Sequence, residues 1–142
     1  MATRRNMNWE PVIFTPVSSG ALTATGVTQA SIDHGKSVQK FSGDGDHFTT
    51  TLVEDFREPT ISVTSADLAW IDACAVAVRG TIAATLRDAN GASLGNITYT
   101  LSNAIASSAS DSASYRAFGS GQITFTGESV DGITSPLMIS LS

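Results

Sequence analysis

Apolar and polar residues alternate with a period of two along much of this chain, and this alternation limits its fold more than any other feature of the sequence. It is clearest in residues 76–86, 96–102, 122–126 and 137–141. Because successive side chains of a strand point to opposite faces of a sheet, each of these stretches predicts a strand with one buried face. Weaker strand candidates are residues 10–17, 30–33, 38–42, 48–54 and 60–63.

The connections between the alternating stretches carry typical turn and loop residues. Residues 88–91, Asp-Ala-Asn-Gly, separate the first two stretches, which therefore predict an antiparallel hairpin. Residues 107–114 are almost entirely Ser and Ala, and this polarity predicts a surface loop. Gly119 and Gly121 precede the third stretch and predict a bend or bulge in its strand.

One segment lacks the alternation and predicts a short helix packed on a sheet. Residues 64–73 are rich in helix formers. Thr64, with Asp67 three residues later, resembles a capping box in acidic form. Leu68, Ile71 and Ala75 would then form one apolar stripe.

Composition and charge exclude several classes of protein. Ser and Thr fill 36 of the 142 positions, the net charge is −5, and only two residues are Lys. This charge balance disfavours wrapping of nucleic acid, because phosphate contacts need clustered basic residues. No apolar run is long enough to span a membrane, and the first residues lack the apolar stretch of a secretory signal, so we expect synthesis in a cytoplasm. Cys74, the only cysteine, allows no intrachain disulfide and is expected to be a small buried residue.

The residues that carry chemistry do not form a recognisable active site. His34 and His47 are the only histidines, both lie in short polar segments, and no nucleophile motif accompanies them. Asp44, Asp46 and His47 could supply metal ligands, yet the later ligands of a calcium loop are missing and a charged turn is favoured. We therefore expect no catalytic residue, no metal, no cofactor and no enzymatic activity.

The most unusual segment of the chain is the charged connection over residues 41–59. Five of the thirteen acidic residues lie between Asp44 and Glu58, and Pro59 is expected to end any strand before it. Long charged connections are uncommon in a compact domain and are often functional. On sequence alone, a solvated charged turn without a partner remains the alternative.

Four stretches between residues 60 and 137 resemble small bacteriophage tail tube proteins, a likeness that covers roughly residues 38–142. They are TISVTSAD at 60–67, NITYTLSNA at 96–104, FGSGQITF at 118–125 and SVDGITSPL at 129–137. Together with the alternating strand after Gly80, they give a succession of strand, turn and strand. The serine-rich segment and the first 37 residues have no counterpart in this pattern.

The resemblance implies a mainly β fold: an antiparallel β-sandwich or barrel with one short flanking α-helix at about residues 65–74 and a long loop or hairpin at about residues 41–59. A single tail-tube-like domain would span residues 1–142, with residues 1–9 as an N-terminal arm. The length of the chain is consistent with a single domain, because a chain of 142 residues can bury about 68% of its unfolded surface in one domain.

The resemblance also implies a structural role in the tail of a virion. Copies of the chain would form hexameric rings that stack into a hollow tube, and DNA would pass through this tube without specific binding. Other tail proteins, such as sheath, terminator or baseplate, would be further partners, and no membrane would be involved. By analogy, the long connection would contact a neighbouring subunit or ring through Phe41, Asp44, Asp46, Glu54, Asp55, Arg57 and Glu58.

Two groups of alternatives remain open. Capsid decoration, tail terminator and baseplate proteins are equally β-rich and equally without catalysis. A carbohydrate-binding β-sandwich is the alternative from another class, and it would need exposed aromatic residues and a calcium site at Asp44 and Asp46. Arg79 and Arg87 could line a lumen, keep the surface soluble or pair with acidic residues of another subunit.

Overall fold

The computed structural model describes residues 7–18, 20–45, 47–48, 51–54, 57–88, 96–113, 119–129 and 131–141. These residues form ten strands and one helix. In chain order they are β1 Met7–Pro16, β2 Leu22–Thr23, β3 Val27–Asp33, β4 Val38–Phe41, β5 Thr51–Glu54, β6 Thr60–Ser65, α1 Leu68–Val76, β7 Gly80–Asp88, β8 Ile97–Ser112, β9 Ser120–Gly127 and β10 Leu137–Leu141. Since β1 begins at Met7, residues 7–9 of the expected N-terminal arm lie in a strand.

Eight of the strands form one antiparallel sheet in the order β2-β1-β7-β8-β9-β6-β3, with β10 beside β8. β4 and β5 form a separate two-stranded sheet. The predicted mainly β fold with one short helix and a hairpin is confirmed. The sheet is not closed into a barrel, so the sandwich-like arrangement is the one that the structure supports. The predicted hairpin of the first two alternating stretches is confirmed by the pairing of β7 with β8.

β8 is the longest strand and changes its neighbours along its length. Residues 97–101 pair with β7 on one side and with β10 on the other, whereas residues 104–112 pair with β9. Between these parts the register against β7 shifts, and Asn103 has a φ of 49°. Asn tolerates this left-handed conformation better than most residues, so a bulge is accommodated here.

The loop predicted over residues 107–114 is wrong for its described part, because β8 continues to Ser112. Residues 108–112 of β8 pair with residues 120–124 of β9. Their backbone hydrogen bonds come from this pairing and need no side-chain burial. The predicted relief at a bend is also not the role of Gly121, which lies regularly paired in β9. A Cβ there would lie 2.6 Å from Cδ1 of Ile71, so glycine allows α1 to pack closely on the sheet.

The helix begins three residues later than predicted because Asp67, and not Thr64, caps it. Trp70 N–H donates to Oδ1 of Asp67 at 3.1 Å, while Thr64 lies in β6. The buried residues of α1 are Trp70, Ile71 and Cys74; Ala75 of the predicted stripe is exposed. The helix also runs to Val76, so β7 starts at Gly80 and the predicted start of that strand at residue 76 is wrong.

The core lies between the sheet and α1. Phe14 of β1 and Phe125 of β9 stack with ring centroids 5.0 Å apart, and Trp70 contacts Phe125. Trp70 also donates from Nε1 to the Leu22 carbonyl at 2.9 Å, which ties α1 to β2. Cys74 is fully buried, as predicted, and burial raises the pKa of its thiol to about 12, so the thiol is neutral near pH 7.

Candidate assembly surface

The hairpin of β4 and β5 stands outside the main sheet. Its strands pair antiparallel from Val38 opposite Glu54 to Phe41 opposite Thr51. The connection predicted over residues 41–59 is therefore a hairpin whose first strand starts at Val38. A two-stranded hairpin is marginal in water on its own, so contacts with other elements or other molecules would stabilise it.

Both faces of this hairpin carry exposed apolar side chains. Because directly opposed residues share a face, Val38 and Leu52 lie on one face and Phe41 on the other. The exposed fraction is 66% for Phe41, 66% for Leu52 and 84% for Phe48 near the turn. Exposed apolar surface of this kind is typical of a protein interaction site, although Ile133, Val76 and Val17 on other elements are exposed to a similar extent.

The base of the hairpin is fixed to the sheet by backbone contacts. Gly35 follows β3, has a φ of 70°, and accepts a hydrogen bond from the N–H of Glu58 at 3.3 Å. A Cβ at Gly35 would overlap the backbone of Glu58, so only glycine fits without rearrangement. On the other side, Gly127 N–H donates to the carbonyl of Pro59 at 3.3 Å, and Pro59 is buried.

A surface cavity of about 390 Å³ opens beside this base. Three chain segments supply its lining residues, which are His34, Lys36, Arg57, Ser135, Leu137 and Ile139. Its wall thus combines basic side chains with two apolar residues of β10. We call these six residues the base pocket.

The structure separates the predicted contact residues into two groups. Phe41 and Asp44 lie towards the turn of the hairpin, and both are exposed. Arg57 and Glu58 lie at its base and are also exposed. Glu54 pairs with Val38 in β5. Asp46 and Asp55 lie outside the described residues.

Sequence reasoning missed most of the base pocket. The sequence offers His34 only as a candidate catalytic residue and indicates no role for Lys36. Leu137 and Ile139 were expected on one face of a strand, but nothing in the sequence indicated that this strand lies beside residues 34–36. The pocket depends on long-range topology, for which local patterns give no signal.

Several further charged groups have defined surroundings. Arg79 and Arg87 are both exposed, and Arg79 forms an ion pair with Glu128 of the same chain. The pKa of Asp131 is held well below its usual range by hydrogen bonds from the N–H groups of Thr134 and Ile133. The pKa of Asp111 is raised, mainly because its carboxyl shares a hydrogen bond with that of Asp72.

The described residues hold no grouping of three or more His, Cys, Asp or Glu side chains that could bind a metal ion. Nor is any helix in the described part of the chain long and apolar enough to cross a membrane. The described surface presents exposed apolar side chains at the turn of the hairpin and a mixture of basic and apolar side chains at its base.

Comparison with known proteins gives structural likeness only. No protein-family model matches the chain, and no curated protein matches its sequence. The fold is similar to that of a chain in the cryo-EM structure of the anti-feeding prophage cap, a tube terminating cap, with a TM-score of 0.56 and 18% identity, covering 100% of this chain and 95% of that one. A chain in the sheath-tube complex of an extracellular contractile injection system, called PVC, in its extended state, has a TM-score of 0.48 and 15% identity, covering 92% and 88%. The first of these shows a shared fold over the whole chain.

Proposed function

We propose that this protein is a structural subunit of a phage tail or of a related tail-like particle, and that its copies form hexameric rings that stack into a tube. The observation that carries the proposal is the β4–β5 hairpin, which stands outside the main sheet and exposes Phe41, Phe48 and Leu52. Such a surface is costly for a monomer in water but is suited to contact between copies. The fold shared with a chain of a tube terminating cap supports the same role.

The charge of the protein fits the passage of DNA through such a tube. A net charge of −5 per copy gives a repulsive or weakly binding wall, so that DNA could slide past without sticking. The particle would be the virion, and the other partners would be tail proteins such as sheath, terminator or baseplate. The role requires no cofactor and no catalysis.

A second candidate is the terminator itself, because the similar structure belongs to a cap that terminates a tube. The two roles differ in how far assembly proceeds. A tube subunit presents complementary surfaces on both sides of its ring, so rings add without limit. A terminator forms one ring and stops.

Sedimentation velocity of the purified protein over a wide range of concentration tests the proposal. We expect a monomer or single ring at low concentration and much larger species at high concentration. A single ring at every concentration would favour the terminator. A protein that stays monomeric at the highest attainable concentration would contradict both roles.

A further inference from the structure

The dipeptide Asp-Gly occurs twice in the chain, at residues 44–45 and at residues 131–132. In such a pair the backbone nitrogen of the glycine can attack Cγ of the aspartate, because no side chain on the glycine hinders the approach. The two pairs are alike in sequence, but the structure gives them different surroundings. We infer that Asp44 is a site of spontaneous covalent modification, at which a succinimide forms and opens to isoaspartate, and that Asp131 is protected from the same reaction.

The reaction needs only water and the chain itself. The nitrogen of Gly45 loses its proton and bonds to Cγ of Asp44, while one carboxyl oxygen leaves as water. A water molecule then opens the ring. Breaking the bond between nitrogen and Cγ restores aspartate, whereas breaking the bond between nitrogen and the main-chain carbonyl carbon gives isoaspartate. The isoaspartyl form has one more methylene in its backbone, so the turn of the hairpin changes shape.

Both reacting groups are accessible at the first pair. Asp44 and Gly45 lie exposed in the turn between β4 and β5. No atom lies within 4 Å of the position that a Cβ of Gly45 would take. In the part of the chain that the structure describes, neither the carboxyl of Asp44 nor the N–H of Gly45 forms a hydrogen bond. Ring closure here therefore breaks no hydrogen bond and meets no steric obstacle.

Hydrogen bonds hold both reacting groups at the second pair. Oδ1 of Asp131 accepts from the N–H of Ile133 at 2.8 Å and from the N–H of Thr134 at 2.7 Å, and Oδ2 accepts from the Thr134 hydroxyl at 2.9 Å. The N–H of Gly132 donates to Oγ of Ser129 at 3.0 Å. Ring closure would disrupt these bonds, and those to the carboxylate are strong because the acceptor is charged.

The charge state of Asp131 adds to this protection. The N–H groups of Thr134 and Ile133 are the main causes of its lowered pKa. A neutral carboxyl group reacts more readily than a carboxylate, because its hydroxyl leaves as water and it does not repel the incoming nitrogen. Asp131 is therefore held in its less reactive form over a wider range of pH.

Labelling with heavy oxygen tests the inference. The folded protein is kept dilute, at neutral pH, in water enriched in heavy oxygen, so that each ring opening places one heavy atom in the product. Trypsin, used afterwards in ordinary water, cuts after Lys and Arg and releases residues 41–57 and 117–142 as separate peptides. We expect Asp44 to gain label about tenfold or more faster than Asp131, equivalent to about 1.4 kcal/mol in the barrier. Electron-transfer fragmentation locates the label and identifies isoaspartate.

The same labelling in guanidinium chloride is the control for structure. In the unfolded chain the hydrogen bonds of Asp131 are absent, so the two aspartates should gain label at similar rates. Asn90, which precedes Gly91 and can form the same ring with loss of ammonia, lies outside the described residues. It falls in a third tryptic peptide, residues 88–116, and so does not disturb the comparison.

Asp44→Glu is the control for position. It keeps the charge of the turn, but its side chain would have to close a larger ring, which forms far more slowly, so label at residue 44 should disappear. Undiminished labelling of residues 41–57 in this variant would place the reaction at another residue and overturn the inference.

Two further results would overturn it. One is labelling of Asp131 as fast as that of Asp44 in the folded protein. The other is a difference that persists unchanged in guanidinium chloride, because its cause would then be the local sequence and not the fold. The reaction involves a single copy of the chain, so every outcome is independent of the proposed role in a tube.

Discussion

Gly35 shows how one backbone position holds the hairpin in place. Its φ of 70° lies in the left-handed region, and the space for a Cβ is taken by the backbone of Glu58. Gly45, near the turn of the same hairpin, has a φ of 82° but no atom within 4 Å of the Cβ position. Substitution of Gly45 therefore measures the cost of a left-handed backbone alone, whereas substitution of Gly35 adds the cost of steric overlap with Glu58.

We predict that Gly35→Ala destabilises the base of the hairpin more than Gly45→Ala destabilises its turn. Alanine at a left-handed position costs about 1–2 kcal/mol. At Gly35 the overlap with Glu58 adds to this cost, and the hydrogen bond between these residues should be lost. Amide hydrogen exchange of Glu58 and chemical denaturation measure the difference. Equal effects of the two substitutions would contradict the contact.

Asp67 carries the helix cap and a link to a neighbouring loop. Its Oδ1 accepts from Trp70 N–H, and its Oδ2 accepts from the N–H and hydroxyl of Thr25. Asp67→Ala should lower the free energy of unfolding by about 1 kcal/mol or somewhat more. Asp67→Asn should be milder because its amide oxygen can still accept from Trp70. Urea denaturation of both variants checks the order, which the reverse ranking would contradict.

The acidity of Asp67 adds a dependence on pH. The hydrogen bond from Trp70 N–H is the main cause of its lowered pKa, with Thr25 contributing further. The stability it provides is therefore present above the ordinary carboxyl pKa and is lost as the pH falls through the lowered one. The Asp67→Ala variant should therefore lose less stability on acidification, because it has no carboxylate at this position to be protonated.

Helix α1 and strand β8 contact each other through two carboxyl groups, those of Asp72 and Asp111. The hydrogen bond with Asp72 raises the pKa of Asp111, and burial and the charge of Asp72 add to the shift. A raised pKa in the folded state means that the protein gains stability as the pH falls through it, because the folded state then binds the proton more tightly.

We predict that Asp111→Asn removes the gain in stability on acidification. At neutral pH the thermal unfolding midpoint of this variant should be unchanged or higher, because the repulsion between Asp111 and Asp72 is gone. Asp131→Ala is the contrasting control. Asp131 has a lowered pKa in the connection between β9 and β10, so its loss should lower the midpoint at neutral pH. Melting curves from acid to neutral pH measure both. A lower unfolding midpoint for Asp111→Asn at neutral pH would contradict the claim that Asp111 and Asp72 repel each other.

The elements that the sequence predicts well are those with their own periodic signal. The pair of β7 and β8 and the strand β10 follow from alternation, and the buried Cys74 follows from residue type. The second half of β8 has no such signal because its stability comes from pairing with β9, and small hydroxyl side chains suit a strand as well as a loop. The sequence predicts the helix cap at Thr64 and not at Asp67, because Thr64 is also a residue that favours the N-cap position.

The turn of the hairpin and the base pocket differ in how far their residues can be predicted from the sequence. Asp44, Asp46, Phe41 and Phe48 are close together in the sequence, so the charge and residue types of the turn can be read directly, whereas the exposure of Phe48 is known only from the structure. The base pocket joins residues 34–36, 57 and 135–139, which are more than twenty residues apart in each case and meet only after the sheet has formed. Local periodicity contains no information on that meeting.

We predict that Arg57→Glu impairs assembly while the monomer stays folded, because it reverses a charge in the base pocket. Arg87→Glu makes the same charge change at an exposed position on β7 and should assemble normally. Sedimentation velocity compares the two variants at matched concentration. Normal assembly of Arg57→Glu would show that the pocket is not a contact between copies.

Negative-stain electron microscopy of the purified protein, at several concentrations and salt levels, shows whether copies of the chain assemble into a tube. We expect rings of uniform diameter that stack into hollow tubes as concentration rises. Fields that contain only single particles of monomer size, under every condition, would contradict it.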